Sequence, residues 1–361
     1  MKKQGKLEAA DQRRRGVLRA FLALFAAPFL PRFLPHARAA AQTPGHHLPN
    51  GEFRNNYAGQ INKAFSDLMR WRRESPGHPR RAFPLAKNDP QFLRENRTAD
   101  TLTWIGHATL LLQTGGVNIL TDPHFSERAS PFSFAGPKRG TPPGIAANDL
   151  PEIDAVLISH NHYDHLDSAS IKMLARQNPQ TRFFCPLKLG GFLREHGARF
   201  VHELDWGEAA EWAGIRFTAA PCQHWSSRFP WDRNKTLWAA WIAERAGFRF
   251  LFIGDTGYSQ DFAALGAQYG GFDWAAIPIG AYSPRWFMKE AHINAEEAAQ
   301  IFLDLRAQNA AATHWGTFQL TDEPADEPPQ KLRAAAAAKN ISGFHVFMHG
   351  ETRMLKNNGG G

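Results

Sequence analysis

Three histidines and one aspartate lie within six consecutive residues, in the segment HNHYDH at 160–165. Ser159 connects this segment to the apolar run at 155–158, which is expected to form a short buried strand. From an extended backbone the first two histidines point the same way, whereas the aspartate and the last histidine fall at the following turn. Neutral imidazole and carboxylate are typical ligands of Zn, Fe and Mn. The spacing therefore favours a cleft that holds two metal ions over a polar loop with surface histidines.

The spacing H-x-H-x-D-H after a strand resembles the signature of the metallo-β-lactamase-fold superfamily of metallohydrolases. The resemblance implies an α/β protein, an αβ/βα sandwich of two mixed β-sheets flanked by helices. Because this fold places metal ligands on loops at strand ends, later ligands are expected after the apolar runs at 215–220, 248–253 and 310–313. The residues found there, in the order of the family pattern, are His224, Asp255 and His314. For Asp255 alone, a turn aspartate before Thr-Gly is the alternative.

Six short segments narrow the resemblance to the N-acyl-phosphatidylethanolamine phospholipase D branch of that superfamily. The likeness extends over roughly residues 50–355, and the six segments together are more specific than the metal motif alone. They are WIGHAT at 104–109, TDP at 121–123, QHW at 223–225, GDTGY at 254–258, PRWFM at 284–288 and HWGTF at 314–318.

The resemblance implies two zinc ions, although His and Asp ligands without Cys also suit Fe or Mn. By this resemblance one ion is held by His160, His162 and His224, the other by Asp164, His165 and His314, and Asp255 bridges the two. A shared carboxylate holds two cations about 3.5–4 Å apart against their repulsion. A hydroxide between the ions then becomes the nucleophile, and Asp164 is a candidate to orient it. Asp164 and Asp255 are therefore catalytic candidates as well as ligands.

Two further histidines are candidates for roles beside the metals. The branch resemblance puts His292 at the edge of the active site, where it could protonate the leaving group or hold a phosphate oxygen. The alternative is a surface histidine near a helix start. His107, together with Asp122, is expected to hydrogen-bond to the ligands from behind, with a buried core histidine as the alternative. Whether Cys185 and Cys222 form a disulfide stays open.

The loops near the ligands are rich in aromatic residues, which suit acyl chains or a membrane surface, with ordinary loop packing as the alternative. The aromatic residues include Phe132, Phe134, Trp225, Phe229, Trp231, Trp286 and Phe287. With the branch resemblance, they predict a phospholipase D-type phosphodiesterase that acts on N-acyl-phosphatidylethanolamine-like phospholipids, with peripheral membrane contact. The alternative is a lactonase or another ester or amide hydrolase on the same two-metal centre. A non-catalytic metal- or lipid-binding protein is disfavoured because a binder needs no bridging carboxylate.

The elements that must position these residues are strands in hairpins, with helices between them. Hairpin turns are expected at Gly115-Gly116, Gly214 and Gly247, and the stretch 101–113 is expected to be one strand. Helices are expected at 57–73, 168–177, 294–309 and 329–338, the third of them with Asn294 as N-cap and Glu297 as its capping-box partner.

The N-terminus differs from the rest of the chain in charge. Residues 1–42 contain nine Lys or Arg and two acids, so they hold +7 of the net +8 charge. Basic residues, an apolar run and small residues follow one another there, as in a cleaved export signal of the twin-arginine type, with an uncleaved anchor as the alternative. The nearly neutral remainder disfavours a nucleic-acid partner.

The predicted organisation is an export signal at 1–42, an N-terminal arm and helix packed on the body at 43–100, the hydrolase domain at 101–355 and a disordered tail at 356–361. The protein is accordingly expected to be exported, and to be periplasmic or membrane-associated. The sequence does not indicate its oligomeric state.

Overall fold

Two mixed β-sheets of seven strands each form the centre of the computed structural model, which describes residues 44–355. The predicted export signal at 1–42 and tail at 356–361 lie outside the described residues. The predicted sandwich of two mixed sheets flanked by helices is confirmed. Among the described residues no helix is both long and apolar enough to cross a membrane.

The first sheet has the strand order β14-β1-β2-β3-β4-β5-β6. Strands β1, β2 and β3 pair antiparallel, as do β1 and β14, and the strands from β3 to β6 pair parallel. The bounds are β1 Thr101–Gly106, β2 Thr109–Thr114, β3 Val117–Thr121, β4 Ala155–Leu157, β5 Arg182–Pro186, β6 Phe200–Leu204 and β14 Thr352–Met354.

The second sheet has the order β13-β12-β11-β10-β9-β8-β7. Its strands from β7 to β10 pair antiparallel, and those from β10 to β13 pair parallel. The bounds are β7 Ala209–Trp212, β8 Ile215–Ala220, β9 Ala240–Arg245, β10 Phe248–Phe252, β11 Phe272–Pro278, β12 Ala307–Thr313 and β13 Phe344–His345.

Helices accompany both sheets. They are α1 Phe65–Glu74, α2 Pro90–Glu95, α3 Ser168–Gln177, α4 Gly190–Glu195, α5 Asp261–Tyr269, α6 Arg285–Met288, α7 Ala295–Asp304 and α8 Glu327–Ala338, with a 3-10 turn at Ala147–Asp149. The predicted capping box of α7 is present, because Asn294 accepts from Glu297 N while the Glu297 carboxylate accepts from Asn294 N.

The sheets bury their inner faces against each other. Phe184 on β5 stacks on Phe217 of β8 at a ring-centroid distance of 4.3 Å. Trp241 on β9 is fully buried and donates its indole N–H across the sandwich to the carbonyl of Ile158, at 2.7 Å. Because Ile158 lies two residues before His160, this bond connects the start of the metal motif to the opposite sheet.

Three predicted elements are wrong in their extent. The stretch 101–113 is two strands, because the backbone turns at Gly106 and His107, whose φ angles are +141° and +53°. Glycine is favoured there, because L side chains rarely adopt a φ of +141° and a Cβ would lie only 3.0 Å from the buried His349 ring. Helix α1 begins at Phe65, since the preceding residues form a turn and extended chain. Helix α7 ends at Asp304, because the chain then pairs as β12 with β11.

We predict that Trp241→Phe lowers the free energy of unfolding by about 1–3 kcal/mol, because the ring still packs while the buried Ile158 carbonyl loses its donor. Urea denaturation of the purified protein measures this change. Trp212→Phe is the control, since that indole lies at the edge strand β7 under the Arg182 guanidinium and is expected to change stability by less than about 0.5 kcal/mol. Equal effects of the two substitutions would contradict the role of the inter-sheet bond.

Candidate metal centre

The loops after β4, β8, β10 and β12 bring together all seven residues predicted to bind metal. Strands β8, β10 and β12 run in the same direction, because two antiparallel pairings separate β8 from β10 and parallel pairings connect β10 to β12. Their carboxyl ends therefore reach one edge of the sheet, and each contributes one side chain there. The loop after β4 contributes the other four.

Three imidazoles form the first group of ligand candidates. His160 Nε2 lies 2.8 Å from His162 Nδ1, and His224 Nε2 lies 3.2 Å from the same atom. His160 and His224 are buried, and His162 is partly buried. The three ring nitrogens converge on one point, as a metal ion would require.

Asp164, His165 and His314 form the second group. His314 Nε2 lies 3.2 Å from His165 Nε2 and 3.3 Å from Asp164 Oδ2. The third distance, from His165 Nε2 to Asp164 Oδ2, is 3.4 Å. A carboxylate oxygen and two imidazole nitrogens thus face one another.

The Asp255 carboxylate lies between the two groups. Its Oδ2 is 3.1 Å from His165 Nε2 and 3.8 Å from His224 Nε2, and its Oδ1 is 3.1 Å from His314 Nε2. The side chain is only 2% exposed. Asp255 therefore contacts ligand candidates of both groups, as the predicted bridging role requires.

Hydrogen bonds on the outer side of two rings direct lone pairs into the centre. His224 Nδ1 donates to the carbonyl of Ala291 at 3.0 Å, and His165 Nδ1 donates to Asp122 Oδ2 at 2.7 Å. Since these oxygens accept only, Nδ1 carries the proton, and Nε2 of the neutral ring carries a lone pair. Converging lone pairs repel unless a cation lies between them, so the donor set fits divalent Zn, Fe or Mn.

The first group binds protons weakly. Burial lowers the pKa of His162 to about 3 and lowers the pKa of His160 and His224 well below the usual range. Removal from water disfavours the charged imidazolium, so these rings are neutral at neutral pH.

The two histidines of the second group bind protons strongly. Burial acts in the same direction there, but the carboxylates of Asp255 and Asp164 outweigh it. The pKa of His314 is raised to about 9, and that of His165 well above its usual range. Without a metal, two protons therefore compensate the carboxylates.

Two residues that are not ligand candidates themselves, His107 and Asp122, hydrogen-bond to ligand candidates of the motif. His107 Nε2 lies 2.9 Å from Asp164 Oδ2, and its backbone N–H donates to Thr317 Oγ1 at 2.8 Å. Asp122 accepts from His165 and from the backbone N–H of Ser159, at 2.7 Å each. His107 and Asp122 thus lie where the sequence places them, in contact with the ligand candidates.

His292 lies beside the bridge. Its Nδ1 is 3.8 Å from Asp255 Oδ2, and its ring centroid is 5.3 Å from that of His224. The side chain is 16% exposed, and burial lowers its pKa to about 4. It is therefore neutral at neutral pH and reaches the cleft, rather than lying on the outer surface.

The two cysteines, whose pairing the sequence left open, do not form a disulfide. Cys185 and Cys222 are both buried and free, in separate apolar clusters.

Asn55 hydrogen-bonds the backbone of His224 across 169 positions of sequence. No spacing connects residues so far apart, so only the tertiary structure reveals this contact, and the same holds for the Ala291 carbonyl.

Comparison with known proteins identifies the class. Residues 117–315 match the family model described as the beta-lactamase superfamily domain. A metallo hydrolase from the archaeon Ignicoccus hospitalis shares the fold, with a TM-score of 0.54 and 20% identity over 72% of this chain and 99% of that one. The chain belongs to the beta-lactamase superfamily and is a metal-dependent hydrolase of the metallo-β-lactamase fold.

The similarity is greater to one branch of that superfamily. The N-acyl-phosphatidylethanolamine-hydrolyzing phospholipase D 1 of Caenorhabditis elegans is 43% identical over 248 residues, which are 66% of this chain and 70% of the nematode protein. The mitochondrial protein of that activity from Saccharomyces cerevisiae is 36% identical over 241 residues, and the match spans 51% of its length. The predicted resemblance to this branch is confirmed.

We predict that metal binding at pH 7 releases more protons from the second group of ligand candidates than from the first. A metal ion that binds the second group must displace protons from His165 and His314, whose pKa values are raised, to about 9 for His314. A metal ion that binds the first group displaces none, because those imidazoles are neutral. Calorimetric titration of the metal-free protein in buffers of different ionisation enthalpy measures this release. Raising the pH from 7 to 9 should tighten binding at one site and leave the other unchanged. Equal proton release at both sites would contradict the assignment.

Proposed function

We propose that this hydrolase uses two divalent metal ions, most simply zinc, to cleave the phosphodiester of N-acyl-phosphatidylethanolamine-like phospholipids in the manner of a phospholipase D. The observation that carries the proposal is the Asp255 carboxylate in contact with both groups of imidazoles. The similarity to the nematode and yeast enzymes supports the substrate class.

Each group of side chains would hold one ion. His160, His162 and His224 would bind the first, Asp164, His165 and His314 the second, and Asp255 both. When bound, the ions supply Lewis acidity, which lowers the pKa of water and stabilises charge on a phosphoryl oxygen.

The chain's own groups orient the reactants. Asp164 is tied to His107 on one side, yet 15% of its side chain is exposed to the cleft, so its carboxylate can accept a hydrogen bond from the attacking water. His292 is neutral at neutral pH because burial lowers its pKa to about 4, and a metal ion bound nearby would lower the pKa further. A neutral imidazole can donate a hydrogen bond through its N–H. His292 is therefore better suited to bind a phosphoryl oxygen than to protonate the leaving group.

A pocket beside the motif offers room for the apolar part of a substrate. Its volume is about 500 Å³. Tyr163, from within the metal motif, lines it together with Phe192, Phe132 and Phe229. The Arg228 guanidinium at its wall lies 4.0 Å from the centroid of the Tyr163 ring. The guanidinium donates to the carbonyls of Asn161 and Leu166, and the carboxylates of Glu127 and Asp167 also line the pocket. The aromatic wall of the pocket therefore suits the apolar chain of a lipid.

Exposed aromatic side chains on the loops of this pocket support contact with a phospholipid surface. The exposed fractions are 56% for Phe132, 79% for Phe134, 46% for Phe229 and 69% for Trp231. Aromatic rings of this kind insert at the boundary between headgroups and acyl chains. We include peripheral membrane contact through these two loops in the proposal.

Hydrolysis of N-acyl-phosphatidylethanolamine in mixed micelles tests the function, with the metal content of the protein measured in parallel. We expect the wild type to release phosphatidic acid. The rate for Asp255→Asn should be more than about a hundredfold lower, because removing an outer partner of a metal ligand already lowers activity by 10–100-fold. Asp273→Asn is the control, since that carboxylate lies on β11 and accepts from the Arg249 backbone. A wild type with two metals that cleaves lactones or simple esters but leaves this lipid intact would contradict the substrate class.

Membrane contact is tested by sedimentation with vesicles of phosphatidylcholine and phosphatidylglycerol. Because burying one aromatic side chain is worth about 1.5–3 kcal/mol, Phe134→Ala combined with Trp231→Ala should weaken vesicle binding by more than about tenfold. Phe65→Ala removes an equally exposed ring, at 74%, from α1, and should have little effect. Unchanged binding of the double variant would refute the proposed surface.

We also propose that residues 1–42 direct export of the protein to the periplasm or the outer face of a membrane. The order of basic, apolar and small residues supports this proposal. Mass spectrometry of the protein from a cell envelope fraction should find a new N-terminus near Ala39 or Ala41. Retention of Met1 in that fraction would favour an uncleaved anchor.

A further inference from the structure

The N-terminal arm, residues 45–56, runs beside the loop that carries His224. Asn55 in this arm is buried, with 2% of its surface exposed. Its side-chain amide pairs with the backbone of His224 as a neighbouring β-strand would, through one accepted and one donated hydrogen bond. Asn55 Oδ1 accepts from the backbone N–H of His224 at 2.9 Å, and Asn55 Nδ2 donates to the carbonyl of His224 at 3.0 Å.

The Asn55 amide is itself fixed in orientation. Its Oδ1 also accepts from the indole N–H of Trp238 at 3.0 Å, and its Nδ2 also donates to the carbonyl of Gly59 at 2.9 Å. An indole N–H donates only and a carbonyl accepts only. The oxygen and nitrogen of the amide therefore cannot exchange places without breaking several buried hydrogen bonds.

These bonds determine where the His224 ring lies. The ring makes its own contact through Nδ1 to the carbonyl of Ala291, at 3.0 Å. The Asn55 amide holds the two backbone groups on either side of the His224 Cα. Backbone and ring are thus held from two directions, which leaves Nε2 directed at His162 Nδ1, 3.2 Å away.

The arm is held in place by further contacts along its length. Phe53 is buried in the core, and its backbone N–H donates to the carbonyl of Asn234 at 2.9 Å. His46 and His47 each donate from Nε2 to one oxygen of the Asp205 carboxylate, at 2.7 Å. These contacts fix the position of the arm and therefore the position of Asn55, which in turn holds the backbone of His224.

We infer that Asn55 is a positioning residue for the metal ligand His224, and that the N-terminal arm thereby completes the first metal site. The inference rests on the proposed two-metal function and goes beyond it, because it assigns part of the metal site to a segment outside the predicted hydrolase domain at 101–355. Outer partners of metal ligands typically change metal affinity by 10–100-fold when they are removed.

Asn96 provides a matched control for a purely structural asparagine. It is also buried, at 7% exposure, and its Nδ2 donates to the Ala99 carbonyl at 2.8 Å and to Gln113 Oε1 at 3.1 Å. Its partners lie in the loop before β1 and on β2, away from the ligand candidates. Loss of either asparagine should lower stability, but only the loss of Asn55 should affect metal binding.

The test is the rate at which zinc passes from the zinc-loaded full chain to a chromogenic chelator, with urea denaturation in parallel. For Asn55→Ala we expect one of the two ions to leave about 10–100 times faster than in the wild type, while the other leaves at an unchanged rate. For Asn96→Ala we expect both ions to leave within twofold of the wild-type rate, although the protein is less stable.

Unchanged release from Asn55→Ala, or equal acceleration in both variants, would overturn the inference. If Asn55→Ala does not fold, Asn55→Asp decides, because it keeps the acceptor for His224 N–H and loses the donor to the His224 carbonyl. Faster release of one ion supports the inference, and wild-type release refutes it. A wild type that holds a single ion would refute the two-metal function, whereas the effect of Asn55→Ala on that ion would still decide the inference.

Discussion

The buried carboxylate of Asp255 contacts imidazoles of both groups, and this contact sets the requirements for the rest of the molecule. The distances of 3.1 Å to His165 and to His314 bring anionic and neutral ligand atoms together in a place that water hardly reaches. Such a cluster is costly unless positive charge neutralises it. Protons on the second group or metal ions meet that need, and the outer hydrogen bonds of the rings favour metal by pointing lone pairs inward.

The two sheets supply the rigidity that this cluster needs. Ligand loops leave the carboxyl ends of strands in both sheets, so the distance between the sheets determines the distance between the ligands. Stacked rings and the bond from Trp241 to the Ile158 carbonyl hold that separation. The arm adds a third support through Asn55. A small shift of either sheet would move one set of ligands relative to the other and separate the two halves of the centre.

Much of the fold and the site could be predicted from the sequence because their signals are local. The turn at Gly214 and the capping box from Asn294 to Glu297 depend on neighbours within a few residues, and both are present. The prediction of a single strand at 101–113 was wrong, because the apolar residues continue through the turn at His107. A long-range hydrogen bond from the His107 backbone to Thr317 holds this turn in place. The same reason explains the end of α7, where pairing of β12 with β11 overrides helix propensity.

The sequence by itself determined which side chains could bind metal, because H-x-H-x-D-H and single ligands after apolar runs are properties of short segments. It also determined the likeness to one branch of the superfamily. Only the tertiary structure decided that Asp255 reaches both groups, that His107 contacts Asp164 and that Asn55 holds His224. These contacts join residues from 31 to 169 positions apart in the chain. Residues so far apart in the chain meet only because the two sheets pack together, and no local pattern of residues encodes that packing.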